Sequence, residues 1–288
     1  MFEKVVQLGA VRGREHDPHQ PDEQGFIPGV FNYCDRWCEK CGFVRQCRVG
    51  AIDVDDISED NEEVASEKVE GYEDRLKRMM DDMPGREGTD DEDDDPIPDL
   101  SNMDLSLSPE EEEEYERKEE EVTQKLDEHA LTNLGTTYMD MVSEWLEEHH
   151  DGFVALGIDL HKRTNLRMVP LSPELLVLAE ALDEVVWFHT MVPVKTNRAM
   201  RGKIEDPHMM EELGMDPMQS DHNGTAKLVL LMLQRCNIAW ETITDLEPRL
   251  ADGVVPMQEL LRRHEVLMRE EFPDAMRFVR PGFDAPGR

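Results

Sequence analysis

The chain has 288 residues, room for one large or two small domains, and carries 66 Asp plus Glu against 31 Lys plus Arg, a formal net charge of -35. A mean field of that sign repels phosphate backbones and anionic lipid, so nucleic-acid contact would need a local basic patch. The longest apolar run, LVLLML at Leu228–Leu233, is far too short to span a bilayer, which excludes a membrane partner of that kind.

Residues 1–51 are rich in Gly, Pro and His, show no long helical periodicity and hold Cys34, Cys38, Cys41 and Cys47. The first twenty residues mix charges of both signs and lack the cationic start and apolar core of a secretory leader. The expected location is therefore the cytosol, where thiols stay reduced and clustered cysteines read as metal ligands before disulfides. A segment this small cannot build a core of its own, so a metal would have to supply its order.

Residues 52–107 form an acidic connector. Val64, Val69, Tyr72, Leu76 and Met80 recur at roughly helical intervals and predict a marginal amphipathic helix between Ile52 and Met83. The stretch from Pro84 to Leu107 contains DDEDDD, several prolines and few apolar residues, and reads as a disordered, self-repelling linker. This acidic run and EEEEE at Glu110–Glu114 read as solvated segments, with mimicry of nucleic-acid charge as the functional alternative.

Order returns at Ser108-Pro109-Glu110, where a capping hydroxyl, a proline at the first helical position and carboxylates near the positive helix end start a helix. Leu126, Ala130, Leu134, Tyr138, Met141 and Trp145 give it one apolar face, and Asp151-Gly152 is the expected stop. The following stretch, Phe153 to Val169, lacks clear helical periodicity and leaves room for a short hairpin. A second Ser-Pro-Glu at Ser172–Glu174 opens a helix towards Arg201, kinked at Pro193. A third helix runs from about Gly224 to Thr244; it is apolar nearly all round in its first half and is therefore the expected central helix. A fourth runs from about Pro256 to Phe278 with a kink or break at Pro273. Four helices without alternating strand patterns predict an all-α bundle over residues 108–280, with a short tail at 281–288.

The strongest chemical signal is C-x3-C-x2-C-x5-C at Cys34, Cys38, Cys41 and Cys47. Four thiolates in one loop suit a [4Fe–4S] cluster or a tetrahedral zinc, with redox-active or free thiols as a third reading. Arg36, Lys40, Arg45 and Arg48 would offset their charge, and Trp37 and Phe43 would shield them from water. The run CEKCGFVRQC, Cys38 to Cys47, resembles the C-x2-C-x5-C end of the iron–sulfur loop in helix-hairpin-helix DNA glycosylases such as the endonuclease III family. That resemblance covers about ten residues and implies the cluster ligand set only. The family's first spacing is longer, its loop lies on the C-terminal side of its catalytic domain, and no helix-hairpin-helix signature occurs here. Cys34-x3-Cys38-x2-Cys41 also has the radical SAM spacing, but no β/α repeats follow and a fourth cysteine would fill the open iron position. Cys236, within the apolar third helix, reads as a buried small hydrophobe.

Two weaker constellations remain. Glu180, Glu184, His189 and His264 lie at spacings that turn them towards the bundle interior as second-site ligands, but paired Glu-x-x-His units on facing helices are missing, and hydrogen-bonded core histidines are the plainer reading. Glu147-x-x-His150 falls at a helix end and Glu205-x-x-His208 in a loop. Lys195, Arg198 and Arg201 at one helix end, with Asn223, Gly224 and Lys227 at the next helix start, form an anion-site candidate for a phosphate- or carboxylate-bearing ligand; the alternative is pairing with acidic residues of the same chain. The expected function is a metal-dependent binding or regulatory module with a protein partner, the alternative a redox enzyme or electron-transfer protein with a small anionic substrate.

Overall fold

The computed structural model describes residues 19–51, 108–162, 165–205, 214 and 216–284; the connector expected over residues 52–107 lies outside the described residues. The described chain is all-α, as the spacing predicts, with five helices: α1 (Pro109–Glu128), α2 (Ala130–Ala155), α3 (Pro173–Glu205), α4 (Asp221–Leu246) and α5 (Ala251–Glu271). No described helix is long and apolar enough to cross a membrane.

Helix α1 starts where expected. Ser108 Oγ accepts from the Glu111 backbone N–H (3.3 Å) while the Glu111 carboxylate accepts from the Ser108 N–H (2.9 Å), a reciprocal capping box. Its charged surface is laced by Glu114–Lys118 and Arg117–Glu121 pairs, and only Leu126 is buried. The single helix expected from Ser108 to Gly152 is instead two. His129 adopts an extended backbone (ψ 136°), and its Nδ1 accepts from the Leu131 N–H, so an imidazole caps α2 and separates a solvated helix from a core helix. Helix α2 also overruns Asp151-Gly152 to Ala155; the reversal comes at Gly157, whose φ of 85° only glycine adopts without strain. The expected hairpin is reduced to one antiparallel bridge, Ile158 to Arg167.

Helix α3 opens at Pro173 with Ser172 Oγ accepting from the Leu175 N–H, and it continues through Pro193. Pro193 faces Gly135 of α2, where a β-carbon would sit 3.1 Å from the Pro193 Cα, so the glycine permits the two helices to approach. Helix α4 begins at Asp221, earlier than expected, because Ser220 supplies the capping oxygen. Helix α5 runs from Ala251 to Glu271, so Pro256 lies inside it rather than at its start; the break expected at Pro273 is there, and in place of the expected helix to Phe278 a 3₁₀ turn follows at Ala275–Arg277.

Helices α3 and α4 form the most extensive pair, and α5 packs on α2 and α4. From Asn223 to Leu230 every residue of α4 is buried, as the all-round apolar pattern predicts for a central helix. The third side of this stretch is covered from outside the bundle. Tyr33 and Phe278 meet edge to face at 4.6 Å and lie directly over Gly224. The segment after α5 is therefore part of the fold as far as Asp284, rather than a tail: Phe283 packs on Phe43 at 4.9 Å, and Asp284 holds Arg280 and Lys227.

At Gly224 a β-carbon would lie 2.5 Å from the Tyr33 ring and 2.7 Å from that of Phe278. Gly224→Ala should cost about 1–3 kcal/mol in denaturant unfolding. At Gly152 of α2, where nothing lies within 4 Å, the same change should be neutral or stabilising.

His264 of α5 is 1% exposed, with Nε2 3.0 Å from Thr196 Oγ1, and burial lowers its pKa from 6.5 to about 4. The unfolded chain takes up this proton first, so the contribution of neutral His264 is complete above pH 6.5 and lost as pH falls towards 4. The stability difference between about pH 7 and about pH 4.5 should shrink by about 2–3 kcal/mol in His264→Gln.

Candidate functional site: the cysteine pocket

Residues 27–51 wind through three 3₁₀ turns, Val30–Tyr33, Cys38–Lys40 and Val44–Gln46, separated by short extended residues. Contrary to the expectation that this segment has no core of its own, Ile27, Val30, Phe43 and Cys47 form a small buried cluster with Phe31, Val49 and Phe283 packed against it. The Ile27 N–H donates to the Gln46 carbonyl (2.9 Å) and closes the ends of the loop. Gly29 (φ 74°) sets the first turn, and Arg36 adopts a left-handed backbone (φ 57°) that is costly for a residue with a side chain, just after Cys34.

All four cysteines line one pocket with a cavity volume of about 20 Å³, walled by Val30, Trp37, Phe43 and Phe283. Backbone N–H groups point at three of the sulfurs: Phe43 N–H to Cys41 Sγ (3.4 Å), Gly50 N–H to Cys47 Sγ (3.4 Å), and the Arg36 N–H to Cys34. Gly50 reaches Cys47 only because it lacks a side chain; a β-carbon there would lie 2.9 Å from the Val44 carbonyl oxygen. Burial pushes the Cys34 and Cys41 thiols up, and charge on Cys47 reaches both. The bare pocket thus disfavours free thiolate, while the N–H donors favour sulfur that carries negative charge.

The loop is docked on α3 and α4. Trp37, 2% exposed, stacks on Trp187 of α3 (5.2 Å, 16°) and meets Phe188 edge-on (5.8 Å). The Trp187 indole N–H donates to the Asp35 carbonyl at 2.9 Å. Arg235 of α4 lays its guanidinium over Phe188 and forks to both Glu184 carboxylate oxygens (2.8 and 2.6 Å) and to Asp35 (2.7 Å). Lys40 sits 3.7 Å over the Trp37 ring and donates to Asp183 (3.1 Å), a carboxylate 5% exposed that also accepts from the Leu166 N–H. The shielding role expected of Trp37 and Phe43 thus acquires a second purpose in Trp37, which anchors the loop to the main core.

The remaining sequence-derived candidates are placed differently. Arg198 pairs with Asp221, Arg201 with Glu119 and Glu205, and Lys203 with Glu271. Lys227, inside the buried stretch of α4, donates to the Phe278 carbonyl (2.6 Å) and Asp284 (2.7 Å). Asn223 donates to the Pro217 carbonyl, and Gly224 lies under two aromatic rings. These cations and this helix start therefore serve contacts within the chain. Lys195 is buried beside Cys34 and Arg36, and burial lowers its pKa. Of the second-site candidates, Glu184 holds Arg235, His189 Nδ1 faces the Val186 carbonyl (2.9 Å), and His264 meets Thr196. Glu180 lines an open groove between α3 and α4, and none of the four belongs to a three-ligand group among the described residues. Cys236 is fully buried beside Tyr138, and burial pushes its thiol up to about 12.

Asp35, Asp183, Trp187 and Arg235 carry the docking and were not legible as site residues. Their contacts span 143 to 200 residues of sequence. The single local signal is that basic residues are scarce, which makes Arg235 within an apolar helix unusual. No protein-family model, no curated protein and no solved structure matches this chain.

Arg235→Ala leaves Asp35 and Glu184 without their shared partner and should cost about 1–3 kcal/mol, with faster amide exchange across residues 33–47. Arg235→Lys should recover only part of this, because one ammonium cannot reproduce the fork.

Proposed function

We propose that Cys34, Cys38, Cys41 and Cys47 together hold a metal centre, a [4Fe–4S] cluster in preference to a single zinc, in a binding or regulatory module. The observation that carries this reading is the convergence of all four cysteines on one pocket with backbone N–H groups aimed at sulfur. Soft, water-shielded thiolates with N–H donors are the donor set of iron–sulfur and zinc–thiolate sites alike. The preference for a cluster rests on the sequence spacing, in which one Cys38-x2-Cys41 unit is closely flanked by single cysteines, whereas structural zinc usually ties two Cys pairs across a longer loop. Trp37, a pocket wall, also carries a buried indole N–H without a partner, the kind of donor that a sulfur-rich centre accepts.

A centre at this position would close the loop that presents Trp37 and Asp35 to Trp187, Phe188 and Arg235. Metal occupancy would then be read out as docking or release of the N-terminal loop, exposing an aromatic surface to a protein partner. A reducing compartment such as the cytosol suits this chemistry. The alternative, a redox enzyme with a small anionic substrate, is less well supported, because Arg198, Arg201 and Lys227 are engaged by carboxylates of the chain.

Protein purified without oxygen should be brown and contain iron and acid-labile sulfide in near equal amounts, and Cys34→Ser or Cys47→Ser should bring both near zero. One zinc and no sulfide would replace the cluster by a structural clip; no metal in the wild-type chain would overturn the proposal. Removing the centre should change tryptophan fluorescence through the Trp37–Trp187 stack.

A further inference from the structure

We propose that His150, Asp159 and His161 form a second metal site, for a divalent transition ion such as Zn²⁺, Co²⁺ or Ni²⁺, independent of the cysteine pocket. One ligand atom from each of the three lies within 4.8 Å of the others, the only such grouping of His, Cys, Asp and Glu among the described residues.

The backbone builds this grouping from two directions. His150 rides on the last turns of α2, which continue past the expected stop to Ala155. After the reversal at Gly157, the Ile158–Arg167 bridge is flanked by hydrogen bonds from Asp159 N–H to the Leu166 carbonyl and from Met168 N–H to the Gly157 carbonyl, both 2.8 Å. Ile158 and Leu160 are buried at 0% and 4%, so the alternation of an extended segment turns Asp159 and His161 together to the other side, towards His150. The Leu166 limb is pinned in turn by Asp183, which accepts its N–H. The donors are thus set by packed backbone and not by a loose surface loop.

The His150 and His161 rings lie face to face at 3.7 Å and 13°, so an ion shared by both requires the exposed His161 ring to turn out of the stack. Asp159 Oδ1 lies 3.3 Å from His150 Nε2 and accepts the His161 backbone N–H at 3.0 Å, which orients the carboxylate. Glu147 Oε1 stands 3.9 Å from His161 Nε2 as a nearby fourth oxygen. The adjacent His149 turns away, half-buried against Trp145 and facing its carbonyl, so the paired histidines of the sequence point to different surroundings. Two imidazoles and a carboxylate select borderline transition ions over Mg²⁺ or Ca²⁺, which favour all-oxygen sets. Three protein ligands leave a position for water or Glu147. His161 is 60% exposed in its side chain, which gives an ion a path to the site.

The test is a Co²⁺ titration of the full, untagged chain whose cysteine-bound metal has first been quantified. One further equivalent should bind, with the weak visible bands of nitrogen and oxygen ligation and no thiolate charge-transfer band. Its affinity should fall at least about tenfold in both His161→Ala and Asp159→Asn, a scale typical of losing one ligand or its support. His161→Ala removes an exposed side chain, so unchanged far-ultraviolet circular dichroism keeps this variant informative. No further equivalent, binding as tight as wild type in either variant, or a thiolate band from the added Co²⁺ would each overturn the assignment.

Discussion

The first half of α4 has no free side. Burial of every residue from Asn223 to Leu230 requires cover on all faces of a helix, and two neighbouring helices cannot provide it. Helices α3 and α5 close most of the circumference; Tyr33 from the cysteine segment and Phe278 from the segment after α5 close the rest over Gly224. The position of the cysteine loop follows from this need. So does the fate of Lys227, whose charge lies in the same buried stretch and is tolerable only because the Phe278 carbonyl and Asp284 are brought to it.

In a chain of net charge -35, several of the described cations join separate elements. Arg235 ties α4 to α3 and to Asp35; Lys40 ties the cysteine loop to α3; Arg201 ties α3 to α1; Lys203 ties α3 to the end of α5. Exposed ion pairs contribute little, but those over aromatic rings or beside buried carboxylates orient the elements they join. Part of the acidic surplus is carried on the solvated face of α1, where it costs little.

Two donor sets of different chemistry share one structural support. The cysteine pocket is sulfur-rich and lined by aromatic rings, whereas the His150–Asp159–His161 group is half open and built of nitrogen and oxygen. Asp183 stands between them, holding Lys40 of the cysteine loop with one oxygen and the Leu166 N–H of the bridged turn with the other. A buried carboxylate with both oxygens engaged fixes the two loops to the same turn of α3.

Local chemistry was legible in the sequence alone. The clustering of Cys34, Cys38, Cys41 and Cys47, the Ser-Pro-Glu helix starts and the all-round apolar α4 are short-range patterns, and each was visible within a few residues. Where competing local signals were close in strength, boundaries moved: His129 caps a new helix, and Gly157 rather than Gly152 ends it. Tertiary structure alone decided partners. Asp35 meets Arg235 across 200 residues, Lys227 meets Asp284, and His150 meets an imidazole from beyond a turn. Charge and residue type state what a side chain can bind, but which group reaches it depends on how helices pack, a non-local outcome that no spacing along the chain encodes.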